Sequence, residues 1–213
     1  MSCIASRSVR HGLLAAVIAA ATLACAPSPA CAETRVYLMR GLLDVSTGLD
    51  DLAAKLKRRG ITATVASYAA EVELAQTAIR GFKSGKGCPV VVIGHSLGAD
   101  AALDMARDLQ IASVPVALLV AFSPARSDAV PGNVARVVNY YQSNSYWNYA
   151  YSRGPGFKGS LRNVDLAKRD DIDHFNIEKS AGLHAATIRA IRDLDQSCQP
   201  APAPKAPDVA EMP

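Results

Sequence analysis

The residues best placed to do chemistry are Gly94-His95-Ser96-Leu97-Gly98. A serine hydroxyl is a weak nucleophile until a base takes its proton. G-x-S-x-G spacing acquires meaning between a strand and a helix, where a tight turn lifts the hydroxyl above a sheet. Both flanks fit that context. Pro89-Val90-Val91-Val92-Ile93 precedes the motif as an apolar, mostly β-branched run, and Ala99-Asp100-Ala101-Ala102-Leu103 follows as small, helix-forming residues. Side chains at positions 94 and 98 would collide with neighbouring elements while Ser96 holds a strained backbone.

The base must come from elsewhere in the chain, and beyond the N-terminal stretch there are three histidines, His95, His174 and His184. His95 adjoins the nucleophile, and its side chain is expected to point away from the hydroxyl in a structural role. His184 lies one turn before Ile188 on the apolar face of the last helix and reads as a core histidine. His174 sits in the loop Asp171-Ile172-Asp173-His174-Phe175. A loop at the strand ends can carry an imidazole across to Ser96, so His174 is the candidate base.

The elements that must position these groups follow from periodicity. Strands are expected at Arg35–Met39, Ile61–Tyr68, Cys88–Ile93, Pro115–Phe122 and Val134–Gln142, with a sixth within Gly159–Leu166. Helical spacing joins Leu49, Leu52, Ala53 and Leu56, then Val72, Ala75, Ile79 and Phe82, then Leu97 to Leu109, then Ile188, Ile191 and Leu194. Thr47 with Asp50 resembles a capping box, and Gly60 is a natural helix stop. Pro115–Phe122 shows no polar alternation, as expected of a strand buried on both faces. The alternation of strand and helix predicts an α/β sandwich with a mostly parallel central sheet, helices on both faces and no large lid. Gly81–Gly87 (GFKSGKG) precedes a strand and no Ser or Thr follows Lys86, so it reads as a turn and not a phosphate loop. The aromatic stretch Ser143–Gly159 is expected near the site, as a wall of the pocket or as cover for the sheet edge.

Gly94–Gly98 with a late Asp-His-Phe resembles the α/β-hydrolase superfamily, in its small bacterial lipase-, esterase- and thioesterase-like branch, over Arg35 to about Leu194. The resemblance implies Ser96 as nucleophile and His174 as general base. It implies an oxyanion hole from the Leu97 N–H and an N–H near Gly41-Leu42, assigned to Leu42. The acid is the open member. The two places where the superfamily carries it read Ser123-Pro124 and Ser143-Asn144-Ser145, without a carboxylate. Asp165, ending the last strand, is the first choice and Asp128 the second. Asp173 adjoins the histidine awkwardly, and a Ser-His dyad oriented by a serine or a backbone carbonyl also stays open, since the acid mainly sets tautomer and orientation. The implied activity is hydrolysis of a small-molecule or surface-borne carboxylic ester or thioester through an acyl-enzyme, with no metal or organic cofactor. A non-catalytic binding protein and an acyltransferase are the alternatives.

The ends of the chain carry a different kind of information. Arg7, Arg10 and His11, an apolar run from Gly12 to Ala24, and Ala30-Cys31-Ala32 together read as a secretory signal cut after Ala32. The apolar run is too short to remain as a comfortable membrane span. Export places the protein in the periplasm or outside the cell. Loss of Arg7 and Arg10, with no acid, lowers the net charge from +4 to +2. No Lys/Arg cluster interleaved with aromatics points to nucleic acid. Lys55, Lys57, Arg58 and Arg59 read as a solvated helix end whose cations suit the helix dipole. Of five cysteines only Cys88 and Cys198 survive cleavage. Both are expected at the sheet end away from the site, so a disulfide is expected in the oxidising compartment, closing a loop of about 110 residues. Residues 33–198 then form the α/β-hydrolase-like domain, and 199–213 a Pro/Ala-rich disordered tail.

Overall fold

A computed structural model of the protein describes residues 34–84 and 89–197. The signal segment 1–32, Cys88, Cys198 and the tail 199–213 lie outside the described residues. Strand β1 (Arg35–Arg40) leads to α1 (Gly48–Lys57), β2 (Thr62–Ser67), α2 (Glu71–Lys83), β3 (Val90–His95) and α3 (Leu97–Ile111). Then come β4 (Val116–Phe122), β5 (Ala129–Val130), β6 (Arg136–Tyr141), β7 (Ser152–Arg153), β8 (Ser160–Asp165) and α4 (Ala181–Ser197). The six longer strands form one sheet in the order β2-β1-β3-β4-β6-β8, and every pairing in it is parallel.

Alternation along the strands divides the core between two faces. Val36, Leu38, Val91, Ile93, Leu118 and Val120 pack with Leu49, Leu52 and Leu56 of α1 and Ile188 and Ile191 of α4. Tyr37, Met39, Val92, Leu119, Ala121 and Val137 pack on the other face with Leu74, Ala75 and Ala78 of α2 and with α3. Because both faces are covered, β3 is buried along its whole length and all of β4 but one residue is buried. The unbroken apolar run of β4 anticipated this. The result is the expected three-layer α/β sandwich.

One local expectation is corrected and one element is added. Thr47 makes no side-chain cap, and the Asp50 carboxylate instead receives two hydrogen bonds from Arg40, Nε at 2.9 Å and Nη2 at 2.5 Å. A bidentate guanidinium competes successfully with a local backbone N–H, and the pair ties the end of β1 to α1. The added element is the short parallel ladder of β5 with β7, pairing Ala129 with Ser152 and Val130 with Arg153. Each strand has two residues, too few to show a period. The link from β4 to β6 holds only β5, so no lid is inserted there.

Among the described residues, no helix is long and apolar enough to cross a membrane.

Candidate active site

The chain leaves β3 at His95 and enters α3 at Leu97, so Ser96 alone makes the turn. Its backbone is at φ 55°, ψ −124°, in the left-handed half of the map that an L-residue reaches only under strain. The two glycines permit this. A Cβ on Gly94 would overlap the Gly98 carbonyl, and one on Gly98 would overlap the Met39 carbonyl of β1. The turn is therefore pressed against the neighbouring strand as well as against itself.

His174 reaches this turn from the loop before α4, and its Nε2 stands 3.1 Å from Ser96 Oγ. If Nε2 accepts the serine proton, the ring proton sits on Nδ1. That nitrogen is buried and makes no hydrogen bond. The Trp147 main-chain carbonyl faces the ring and favours its cationic form, without completing a bond of ordinary geometry to Nδ1. Trp147 holds a left-handed backbone, φ 55°. Burial lowers the His174 pKa below the ordinary imidazole value, against smaller opposing effects of Asp173 and Trp147.

The structure does not bring the proposed acids to this histidine. Asp165 Oδ1 accepts the N–H groups of Ser143 at 3.1 Å and Ala167 at 2.9 Å, so it closes a solvent-exposed turn after β8. That correction has a plain cause: a carboxylate at a strand end is satisfied by the nearest backbone donors. Asp128 is held by Arg107 at 2.5 Å and Arg126 at 3.0 Å. Asp173 accepts from the Phe175 N–H at 2.8 Å. Ser123 is fully buried with φ 48°, and its hydroxyl donates to Asn148 Oδ1.

His95 is better connected than its expected structural role suggested. Its Nε2 lies 2.7 Å from the His174 carbonyl oxygen and its Nδ1 lies 2.8 Å from Ser46 Oγ. A carbonyl only accepts, so Nε2 carries the proton and Nδ1 accepts from the Ser46 hydroxyl. Ser46 Oγ in turn accepts the Gly41 N–H at 2.9 Å. Burial drives the His95 pKa down to about 4, keeping the ring neutral as this chain of bonds requires. Sequence periodicity carries no signal for a pair separated by 49 positions, so Ser46 was not foreseen. Gln142 was missed for the same reason. It is buried and donates to the Ile172 carbonyl at 2.7 Å, tethering the His174 loop to the end of β6.

The expected oxyanion donors stand where unpaired N–H groups occur. Leu97 opens α3, and Leu42 opens a short 3-10 turn after β1. First-turn amides have no intrahelical acceptor. The Gly41 amide is committed to Ser46, which leaves Leu42 as the N–H on that side of the cleft. Gly41 also admits close approach, since a Cβ there would come within 3.0 Å of the His95 carbonyl oxygen and 3.1 Å of Ser96 Cβ. All of these groups border one cavity of about 260 Å³, whose other walls are mainly Val45, Ala125, Trp147 and Phe175. Leu42, Val45, Trp147 and Phe175 are exposed at its mouth. Within the aromatic stretch, Trp147 walls the pocket, while Tyr151 and Phe157 are buried in the core. His184 is the buried histidine expected, bonded to Lys55 and to the Glu178 carbonyl. No cluster of three or more His, Cys, Asp or Glu side chains suited to a metal occurs among the described residues.

The chain matches no protein-family model and no curated protein. Solved structures do resemble it. A type II thioesterase, BorB, from the borrelidin biosynthetic cluster superposes with a TM-score of 0.51 at 13% identity, covering 75% of this chain and 93% of its own. An alpha/beta superfamily protein from Xanthomonas campestris pv. campestris gives 0.46 at 19% identity, over 76% and 98% of the two chains. A cutinase-like protein from Cryptococcus sp. gives 0.43 at 13%, over 78% and 98%. At 13% identity the likeness to BorB establishes the fold alone.

Proposed function

From its α/β-hydrolase fold and the contact between Ser96 and His174, we propose that this chain is an exported serine hydrolase cleaving a carboxylic ester or thioester. The observation that carries the reading is the 3.1 Å approach of His174 Nε2 to Ser96 Oγ on a strained strand-to-helix turn. His174 takes the hydroxyl proton as Oγ bonds to the acyl carbon. The carbonyl electron pair moves to oxygen, which the Leu97 and Leu42 N–H groups stabilise. The carbonyl re-forms, the bond to the leaving alkoxide or thiolate breaks, and His174 gives that group its proton. Water, deprotonated by His174, then attacks the acyl-enzyme; release of the acid returns the proton to Ser96. In each half-reaction the imidazolium forms beside the Trp147 carbonyl, with no carboxylate bonded to Nδ1. His95 holds the His174 peptide in place and, through Ser46, holds Gly41 next to the oxyanion donor.

The mainly apolar cavity suits an acyl group over a charged one. Export rests on the basic, apolar and small-x-small pattern of residues 1–32. The second reading, a binding protein that keeps the turn as architecture, draws on the unpaired Nδ1 of His174. An ester and thioester panel of graded chain length separates the two. A hydrolase turns over one class, and Ser96→Ala and His174→Ala abolish that turnover. Absence of turnover by the folded protein across the panel favours the binding reading.

A further inference from the structure

Away from the catalytic cleft, the end of α1 and one face of α4 border a second, open cavity of about 510 Å³. Lys55 at the end of α1, Arg58 and Arg59 in the turn after it, and Arg189 and Arg192 on α4 line it, with His184 among the lining residues and no carboxylate there. Helical geometry produces this convergence. Lys55 lies in the last turn of α1 and Arg58 and Arg59 in the turn that follows it, while positions 185, 189 and 192 share one face of α4. The run at the end of α1 looked like an ordinary solvated helix end; α4 adds two guanidinium groups to the same hollow.

None of the five cations is in an ion pair among the described residues. Asp51 and Asp193 lie on the same two helices but outside this lining. Two of the cationic side chains are held by neutral groups instead. Lys55 Nζ is 2.8 Å from His184 Nδ1, while His184 Nε2 is bonded to the Glu178 carbonyl at 2.6 Å. Nε2 therefore carries the ring proton and Nδ1 accepts from the ammonium. Arg59 Nη1 donates to the Lys55 carbonyl at 2.7 Å. These bonds supply no negative charge; Asp51, outside the lining, acts on His184 only through its field.

We propose that this cavity is a binding site for a ligand bearing two or more phosphoryl groups. Five like charges around one hollow give it a positive potential that attracts a polyanion, most strongly at low ionic strength. One small monoanion would neutralise one of the five. Guanidinium forks match phosphoryl oxygens two at a time. Phosphates of a soluble compound and headgroup phosphates of an anionic lipid share this chemistry. The site does not depend on the hydrolase reading.

The test is a thermal-unfolding titration at low ionic strength with sodium tripolyphosphate, against NaCl of matched ionic strength. The proteins are the wild type and the double variant Arg58→Ser/Arg189→Ser. The wild-type Tm rises saturably, by about 5 °C at a hundredfold excess over Kd. The variant, unfolding cooperatively at a Tm no lower than wild type at low salt, rises by less than a quarter of that. Cosedimentation with phosphatidylglycerol vesicles, absent with phosphatidylcholine vesicles and lost in the variant, assigns the phosphates to a lipid headgroup. The saturable shift without cosedimentation assigns them to a soluble ligand. A wild-type shift no larger than NaCl gives, or equal shifts for the two proteins, overturns the proposal.

Discussion

The two sides of the candidate catalytic histidine are built differently. On the β1 side, Gly41, Ser46, His95 and the His174 carbonyl form an unbroken series of hydrogen bonds in which each donor has an acceptor. On the side facing the loop after β6, the ring Nδ1 is buried without a hydrogen-bond partner, and neither place where the resemblance puts an acid, Ser123-Pro124 after β4 or Ser143-Asn144-Ser145 after β6, carries a carboxylate. The backbone of His174 is thus held firmly, and its ring is held by less. In a triad, a carboxylate fixes the tautomer and stabilises the imidazolium. Under the proposed mechanism the tautomer is set by the contact with Ser96, and the imidazolium is favoured by the Asp173 charge and the Trp147 carbonyl, with no carboxylate bonded to Nδ1. The difference separates two tasks that a triad acid performs together: locating the base, and stabilising its charge.

That comparison can be broken in several ways. The largest effect belongs to His174→Ala, which is expected to lower kcat on the best ester by roughly 10³-fold or more, measured by steady-state hydrolysis. Next is the ordered side. His95→Phe leaves the Ser46 hydroxyl and the His174 carbonyl without their partner and is expected to reduce kcat roughly tenfold, with KM changed by less than about twofold. His95→Gln, which keeps an N–H to offer the His174 carbonyl, recovers part of that loss. A fall in KM and kcat alike, with no recovery by glutamine, breaks the distinction between locating the base and building the pocket.

pH sharpens the same contrast. Burial lowers the His174 pKa, so the neutral base persists to lower pH than an ordinary imidazole. The acid limb of kcat/KM is expected below pH 6.5, with activity lost as pH falls through the lowered value. His95 affects stability. Its folded-state pKa of about 4 lies below the ordinary 6.5, so the unfolded chain binds the proton more readily between those values. Stability therefore falls as pH drops through that window, by about 3 kcal/mol at its lower end. Urea titrations from pH 7 to 4 measure this loss, and His95→Gln reduces it.

The smallest effect is expected at Asp165. Its carboxylate accepts two backbone N–H groups in an exposed turn, so Asp165→Ala leaves kcat/KM within about twofold of wild type. A hundredfold loss would restore it as the acid.

How much of this could be read beforehand depended on how local each signal was. The strand-turn-helix around Ser96 was legible because six strand residues, two glycines and a small-residue helix are contiguous. β4 was legible from its lack of polar alternation, and His174 from being the remaining histidine in a loop. The pairing of Ser46 with His95 joins the loop after β1 to the end of the neighbouring strand β3, 49 positions on, and leaves no local pattern. Asp165 is expected near His174 from its place at a strand end, whereas the structure gives its carboxylate to nearby backbone amides. Asp50 shows the same limit: its spacing from Thr47 fitted a cap, and Arg40 from the previous strand took it instead.

The central claim is that Ser96 is a nucleophile activated by His174 without a bonded carboxylate. Labelling by a fluorophosphonate, with the adduct located by mass spectrometry, tests it most directly. One adduct per chain on Ser96 is expected, absent in Ser96→Ala, greatly slowed in His174→Ala and unaltered in rate by Asp165→Ala. No adduct on the folded wild type, or equal labelling of Ser96→Ala, would contradict it.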